Sequence, residues 1–347
     1  MILAVDERIK NLLKMTVGID SRFEVKPISV PTRRDYNLLL KLPIPNIKYI
    51  VHFIKEALPA NVAAYRFLVR YVEERGHPDI IVGSASGRDE IIGDSNTLAV
   101  TLAISPGVYL PRGNIEEGFV SAVDSSLLKF TWKLLERFYL ISNGASFFPS
   151  RKGKRKLVLG LWSRVLTDGF ELNDSRLKVS GFVYPPWSAP LPVDLEEFLR
   201  SGSPPVVFLF GSHVKSMGGG DRIIAVAREL ASLGGERAVV VRITKSVDAD
   251  NESIFLAPFV DLEQLIPRAA AVVCHAGIGT LGSCLRGGVP AIMFPMMFDQ
   301  PSNADLFERL GAGVRLDHTS EFNAPSIHKA LQQVREETTL EKVRKLS

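Results

Sequence analysis

The chain has 347 residues, 46% hydrophobic and 23% charged, which sets a prior of two domains with a core that needs no disulfide staples. Its 42 Lys and Arg against 38 Asp and Glu leave a net charge of +4. Without basic clusters interleaved with aromatics, nucleic acid is not an expected partner. Cys274 and Cys284 fit neither a zinc pattern nor a CxxC pair, so two buried thiols in a reducing compartment are expected. "MILAVD" is too short for a signal peptide and no apolar run approaches a membrane span. A cytoplasmic protein is expected, with peripheral membrane contact left open.

In chain order, "MILAV" reads as a strand and "DERIKNLLK" as a helix with an acidic first turn. "FEVKPISV" is a strand ending in prolines. Helical spacing runs from Ile47 to about Glu74, interrupted at Pro59. "GHPDIIVGS" is a loop leading into a buried strand, "TLAVTLAIS" a further strand, and "SSLLKFTWKLLERFYLI" a helix. The run "SRKGKRK", Ser150 to Lys156, is expected to be a solvated basic loop. From about Leu177 to Pro205 the chain is rich in Pro, Gly and Ser around one short helix, Asp194 to Leu199, which reads as a linker. "VVFLFGS" opens a second α/β unit. A Gly-rich turn at Gly218–Gly220, a helix from Asp221 to Leu233, strands at "AVVVRI" and "IFLA", and a helix at "DLEQLIPRA" follow. His213, after the Gly-Ser turn, is read as a solvated loop histidine, the alternative being that it faces the cleft.

The chemistry concentrates in "AAVVCHAGIGTLGSCLRGGVPAIMFPMMFDQPSNA". An apolar strand ends at His275, Gly277 and Gly279 follow, and a helix starts near Thr280. A helix start at the carboxyl edge of a parallel sheet aims free N–H groups and a positive dipole end at a ligand, which suits a diphosphate. His275 can donate a ring N–H to the same anion. Asp299 and Gln300, beyond the next strand, offer acceptor and donor groups suited to sugar hydroxyls. Gly277, Gly279 and Gly282 also spell a literal GxGxxG, with an acid roughly 20 residues on, as an NAD site would have. Against that reading, the motif falls late in its unit, a histidine stands at its entry, and Gln300 and Asn303 have no role there.

His275-x-Gly277-x-Gly279-Thr280, Gly288-Val289-Pro290, Pro295, Asp299-Gln300, Asn303-Ala304 and Gly311-x-Gly313 together resemble the donor-binding signature of the UDP-glycosyltransferase family, in its sterol and antibiotic glycosyltransferase branch. The resemblance implies the α/β GT-B fold, two Rossmann-like domains facing each other across a cleft. Residues 1–178 would be the acceptor-binding domain, 179–205 the linker and 206–347 the donor-binding domain. It implies an inverting hexosyltransferase using a nucleotide-diphosphate sugar, UDP-glucose-like or a TDP-sugar, as co-substrate. Neither a cofactor nor a metal is implied. The acceptor would be an apolar small molecule such as a sterol or lipid. Donor contacts would fall on Gly211, Ser212, His275, Gly277, Gly279 and Thr280, with Asp299, Gln300 and Asn303 toward the sugar. "MILAVDERIKNLLK" resembles the family's second strand–helix unit, so the usual first strand–loop–helix is expected to be missing, as is the C-terminal crossover helix. The catalytic base belongs to that first loop, and no catalytic residue is assigned. Asp261 and Leu262 stand where the family has a Pro-His pair near the nucleobase. The alternatives are a non-catalytic nucleotide-sugar-binding or partner protein of the same fold and an NAD-dependent oxidoreductase.

Overall fold

The computed structural model describes residues 2–6, 24–28, 70, 72–84, 96–110, 155–184, 188–241, 252–257, 260–296, 299–318 and 320–347. The chain divides into two units, Met1–Leu102 with Asp124–Val158 and Ala103–Val123 with Leu159–Ser347. In the first, β1 (Ile2–Asp6) pairs in parallel with β2 (Glu24–Ile28), as the opening apolar runs predict. β3 (Ile80–Ser84) pairs in parallel with β4 (Leu98–Ala103), and β4 neighbours β5 (Arg155–Gly160). The Thr97 hydroxyl donates to the Pro78 carbonyl at 2.8 Å, fastening the entry of β4 to that of β3. Strand β5 was not expected. Arg155 and Lys156 belong to it rather than to a solvated loop, while 150–154 lie outside the described residues. The helices expected at "DERIKNLLK" and "SSLLKFTWKLLERFYLI" also lie outside them. Of the long helical stretch, residues 70 and 72–75 are helical.

The second unit holds β6 (Leu177–Val179), α1 (Val193–Arg200), β7 (Val206–Leu209), α2 (Gly220–Gly234), β8 (Ala238–Val241), β9 (Ile254–Ala257), α3 (Leu262–Leu265) and β10 (Ala271–Cys274). It continues with α4 (Ile278–Gly287), β11 (Ala291–Met293), α5 (Gln300–Arg309), β12 (Gly313–Arg315), α6 (Ala324–Val334) and α7 (Glu337–Leu346). Six strands pair in parallel in the order β12–β11–β10–β7–β8–β9. The chain therefore winds outward from β7 to β9, crosses back over β7 and resumes at β10. The sheet changes winding direction between β7 and β10, where loops after adjacent strands diverge and leave a crevice at the carboxyl edge.

Composition explains this sheet. β7 and β10 are continuous apolar runs, every residue buried, as strands covered on both faces require. One cover is formed by α2 and α6, which bury Ile223, Ala227 and Leu230 with Ile327, Leu331 and Val334. Phe322 stands edge-on to Phe210 and Phe294 beneath them. The Arg335 guanidinium grips the buried Glu236 carboxylate with two 2.6 Å bonds, so this charge is not left unpaired in the core. Pro267 ends α3 after one turn and the chain continues as a 3-10 turn, shorter than the helix its sequence suggests. The segment before β7 lies on this unit. Tyr184 donates to the Gly282 carbonyl at 3.0 Å, Arg237 stacks on Phe198 at 4.0 Å, and Arg268 pairs with Glu196 at 2.7 Å. Among the described residues no helix is long and apolar enough to cross a membrane.

Candidate functional site

Leu209, the last residue of β7, pairs with Cys274, the last of β10. The residues just beyond each strand are thereby side by side at the point where the winding reverses. After β7, Gly211 adopts a left-handed φ of 53° and opens a 3-10 turn, Gly211–His213, that contains Ser212. After β10 come His275, Ala276 and Gly277, and α4 begins at Ile278. Ala276 has φ 60°, a left-handed conformation that costs a residue with a Cβ about 1 kcal/mol or more. That turn lets the chain leave the strand and enter the helix within three residues.

His213 and His275 meet here, their ring centroids 4.6 Å apart. This overturns the reading of His213 as a solvated loop residue. Gln300 lies within reach as well, its Nε2 3.2 Å from His213 Nε2, while its Oε1 accepts from the Met296 N–H at 2.9 Å. Asn303, fully buried one turn into α5, donates to Asp299 at 2.8 Å and to the Ala276 carbonyl at 3.2 Å. Its Oδ1 accepts from Ser105 at 3.0 Å. Ser105 was not anticipated from sequence, since it stands 198 positions away. Gln300 is 3% exposed and held by protein groups, so Asp299 is the more open member of the pair.

Burial disfavours the charged form of both rings. Burial, then neighbouring His213, pushes His275 down to about 4, with the Leu209 carbonyl opposing. Burial also lowers His213, against the attraction of Asp299. His275 Nδ1 is buried without a hydrogen-bond partner. The unfolded chain binds a proton on this residue below its ordinary value of 6.5, whereas the folded chain resists until about 4. Stability is therefore lost as pH falls through that window, by at most about 3 kcal/mol for a shift of this size. Denaturant titrations at pH 7 and pH 4.5 are expected to show this loss in the wild type and a smaller one in His275→Asn.

Beside His275, Gly277 supplies no side-chain cap to α4 and the first turn carries no acid, so its leading N–H groups are available to an anion. A cavity of about 160 Å³ opens there at the carboxyl edge of the sheet. Gly211, His275 and Thr280 form its polar end, and Leu209, Val241, Val260 and Leu262 its apolar wall. Asp261 is occupied structurally. One carboxylate oxygen caps α3 through the Glu263 N–H and the other accepts from the Ala189 N–H, each at 3.0 Å.

The three glycines of the GxGxxG now have separate reasons. A Cβ on Gly277 would lie 2.6 Å from His275 Nε2, and one on Gly282 would lie 2.7 Å from the Phe182 ring. Only Gly279 faces open space. Two of the three thus make room for side chains of this chain itself. The motif also follows the fourth strand of its sheet in chain order, not the first, where a dinucleotide fingerprint sits. Both cysteines are free, buried thiols, with Cys274 pushed up to about 12 by burial.

Residues 227–346 match the model of the family described as Erythromycin biosynthesis protein CIII-like, C-terminal domain. Glycosyltransferase GtfC of Amycolatopsis orientalis is 37% identical over 134 residues, which are 38% of this chain and 32% of that protein. Vancomycin aglycone glucosyltransferase of the same organism is 34% identical over 134 residues, with the same two shares. The match thus spans about a third of the length of these curated relatives. The solved glycotransferase of kitacinnamycin superposes with a TM-score of 0.67 over 99% of this chain and 85% of that one, at 16% identity, which speaks to the fold alone. The chain has the α/β GT-B fold of these glycosyltransferases, and its residues 227–346 are similar to the C-terminal domain of the erythromycin biosynthesis protein CIII-like family.

Proposed function

We propose that this chain is an inverting glycosyltransferase whose second unit binds a nucleotide-diphosphate sugar at the β7/β10 crevice. The observation that carries the reading is a half-buried His275 on the cavity wall beside the uncapped start of α4. The apolar wall at Val241, Val260 and Leu262 suits a nucleobase, and the polar end suits the diphosphate. In the reaction, the acceptor oxygen bonds the anomeric carbon as the carbon–oxygen bond to the diphosphate breaks from the opposite face. The diphosphate leaves with the bonding electron pair. The α4 N–H groups, the Thr280 hydroxyl and a His275 ring N–H stabilise that growing charge without reorganisation. Asp299 accepts from sugar hydroxyls. The acceptor's proton goes to a base not assigned among these residues.

In this reading residues 206–347 take the donor, a UDP- or TDP-hexose, residues 179–205 link, and residues 1–178 take the acceptor. The acceptor class is an apolar alcohol, whether a natural-product aglycone, as the name of one relative has it, or a sterol or other lipid. Incubation of the purified chain with labelled UDP-glucose or TDP-glucose and a panel of such alcohols tests it. Label transferred to an alcohol, with the opposite anomeric configuration, is the expected result. Tight donor binding with no transfer to any acceptor would favour a non-catalytic nucleotide-sugar-binding protein.

A further inference from the structure

The contacts around Ala276 close into a ring. His275 lies against His213, His213 against Gln300, and Gln300 opens α5, whose Asn303 bonds the carbonyl of Ala276, next in chain to His275. In the sheet order β11–β10–β7, the His213–Gln300 link joins the loops after the two outer strands over the loop of the middle one. That middle loop holds the left-handed Ala276 and leads into the start of α4. Hydrogen-bond chemistry fixes the direction of the link. Gln300 Oε1 accepts from the Met296 N–H, so Nε2 is the amide's donor end. It can donate to His213 Nε2 only if that nitrogen carries no proton.

We propose that His213 is a positioning residue of the donor site: its unprotonated Nε2 holds the Gln300 carboxamide and its ring face holds His275. The link thereby keeps the strained Ala276 turn, and the α4 N–H groups beyond it, aimed at the ligand. His213 carries its own proton on Nδ1. The role rests on the donor-site reading, whereas the tautomer and the link do not.

Two measurements on the full chain test it. Ring nitrogen NMR of the nucleotide-free protein is expected to show His213 Nδ1 protonated and Nε2 bare, and a proton on Nε2 would overturn the link. Calorimetry with UDP and TDP then compares His213→Leu, which removes the acceptor, with His213→Gln, whose side-chain oxygen can stand near the Nε2 position. His213→Leu is expected to weaken nucleotide binding roughly tenfold, the size of one lost hydrogen bond in a buried setting, and His213→Gln to recover most of it. Equal binding by wild type and His213→Leu, or equal loss in both variants, would overturn the positioning role. If the wild type binds neither nucleotide, the donor reading fails and the positioning role with it, while the nitrogen shifts still decide the link.

Discussion

Asn303→Ala is expected to cost about 3–5 kcal/mol in denaturant unfolding and to abolish measurable donor binding. Asn303 is fully buried and its amide serves three groups at once, the Asp299 carboxylate, the Ala276 carbonyl and the Ser105 hydroxyl. Truncation leaves all three without that partner, and each buried group so stranded costs about 1–3 kcal/mol. Asp299 can recover part of its loss from water, which keeps the sum below the arithmetic maximum. Asn303→Asp separates shape from chemistry. It keeps the outline but replaces a donor with an acceptor facing Asp299 and the Ala276 carbonyl. At pH 7 it is expected to be at least as damaging as the alanine variant. A stable Asn303→Asp that binds donor normally would show that packing alone fixes this corner.

Gly277→Ala is expected to weaken binding of UDP or TDP by about 1–3 kcal/mol, close to the effect of His275→Ala, with a smaller change in stability. Gly277 has φ −64° and ψ 132°, which alanine adopts freely, so the backbone does not object. The added methyl would lie 2.6 Å from His275 Nε2, and the ring must move away from the anion position. The two substitutions should combine to little more than either alone, because both remove the same contact. Fully additive losses would mean that Gly277 contributes through the helix start rather than through His275. Gly279→Ala, whose methyl would meet no protein atom within 4 Å, should leave stability unchanged while narrowing ligand access to the helix start.

Strands β7, β8, β10 and β11 of the second unit were legible in the sequence because each is a short, fully buried apolar run, the pattern of strands covered on both faces, whereas β6 and β12 carry a basic residue in three and give no such signal. Strand β5 was hidden because basic residues at its start extend a run that reads as a solvated surface. The candidate site's outline, His275 with Gly277, Gly279, Thr280 and Asp299, is proposed from the sequence because these residues are nearly contiguous. His213 and Ser105 could not. Their places depend on β7 lying beside β10 and on a turn resting against α5, and neither pairing has a local signature. His213 would have been found by placing the residue after the Gly-Ser turn against the one after "AAVVC" once the strand order was known. The left-handed Ala276 is equally silent, since alanine gives no hint of that conformation and surrounding bonds impose it.

The central claim is that the β7/β10 crevice takes a nucleotide diphosphate at His275 and the start of α4. Calorimetric titration of the purified chain with UDP, TDP and NAD tests it most directly. Saturable heat with UDP or TDP, lost in His275→Ala, and none with NAD, is the result this account predicts. Binding of NAD without response to either pyrimidine diphosphate would contradict it, returning the GxGxxG of Gly277, Gly279 and Gly282 to the dinucleotide reading.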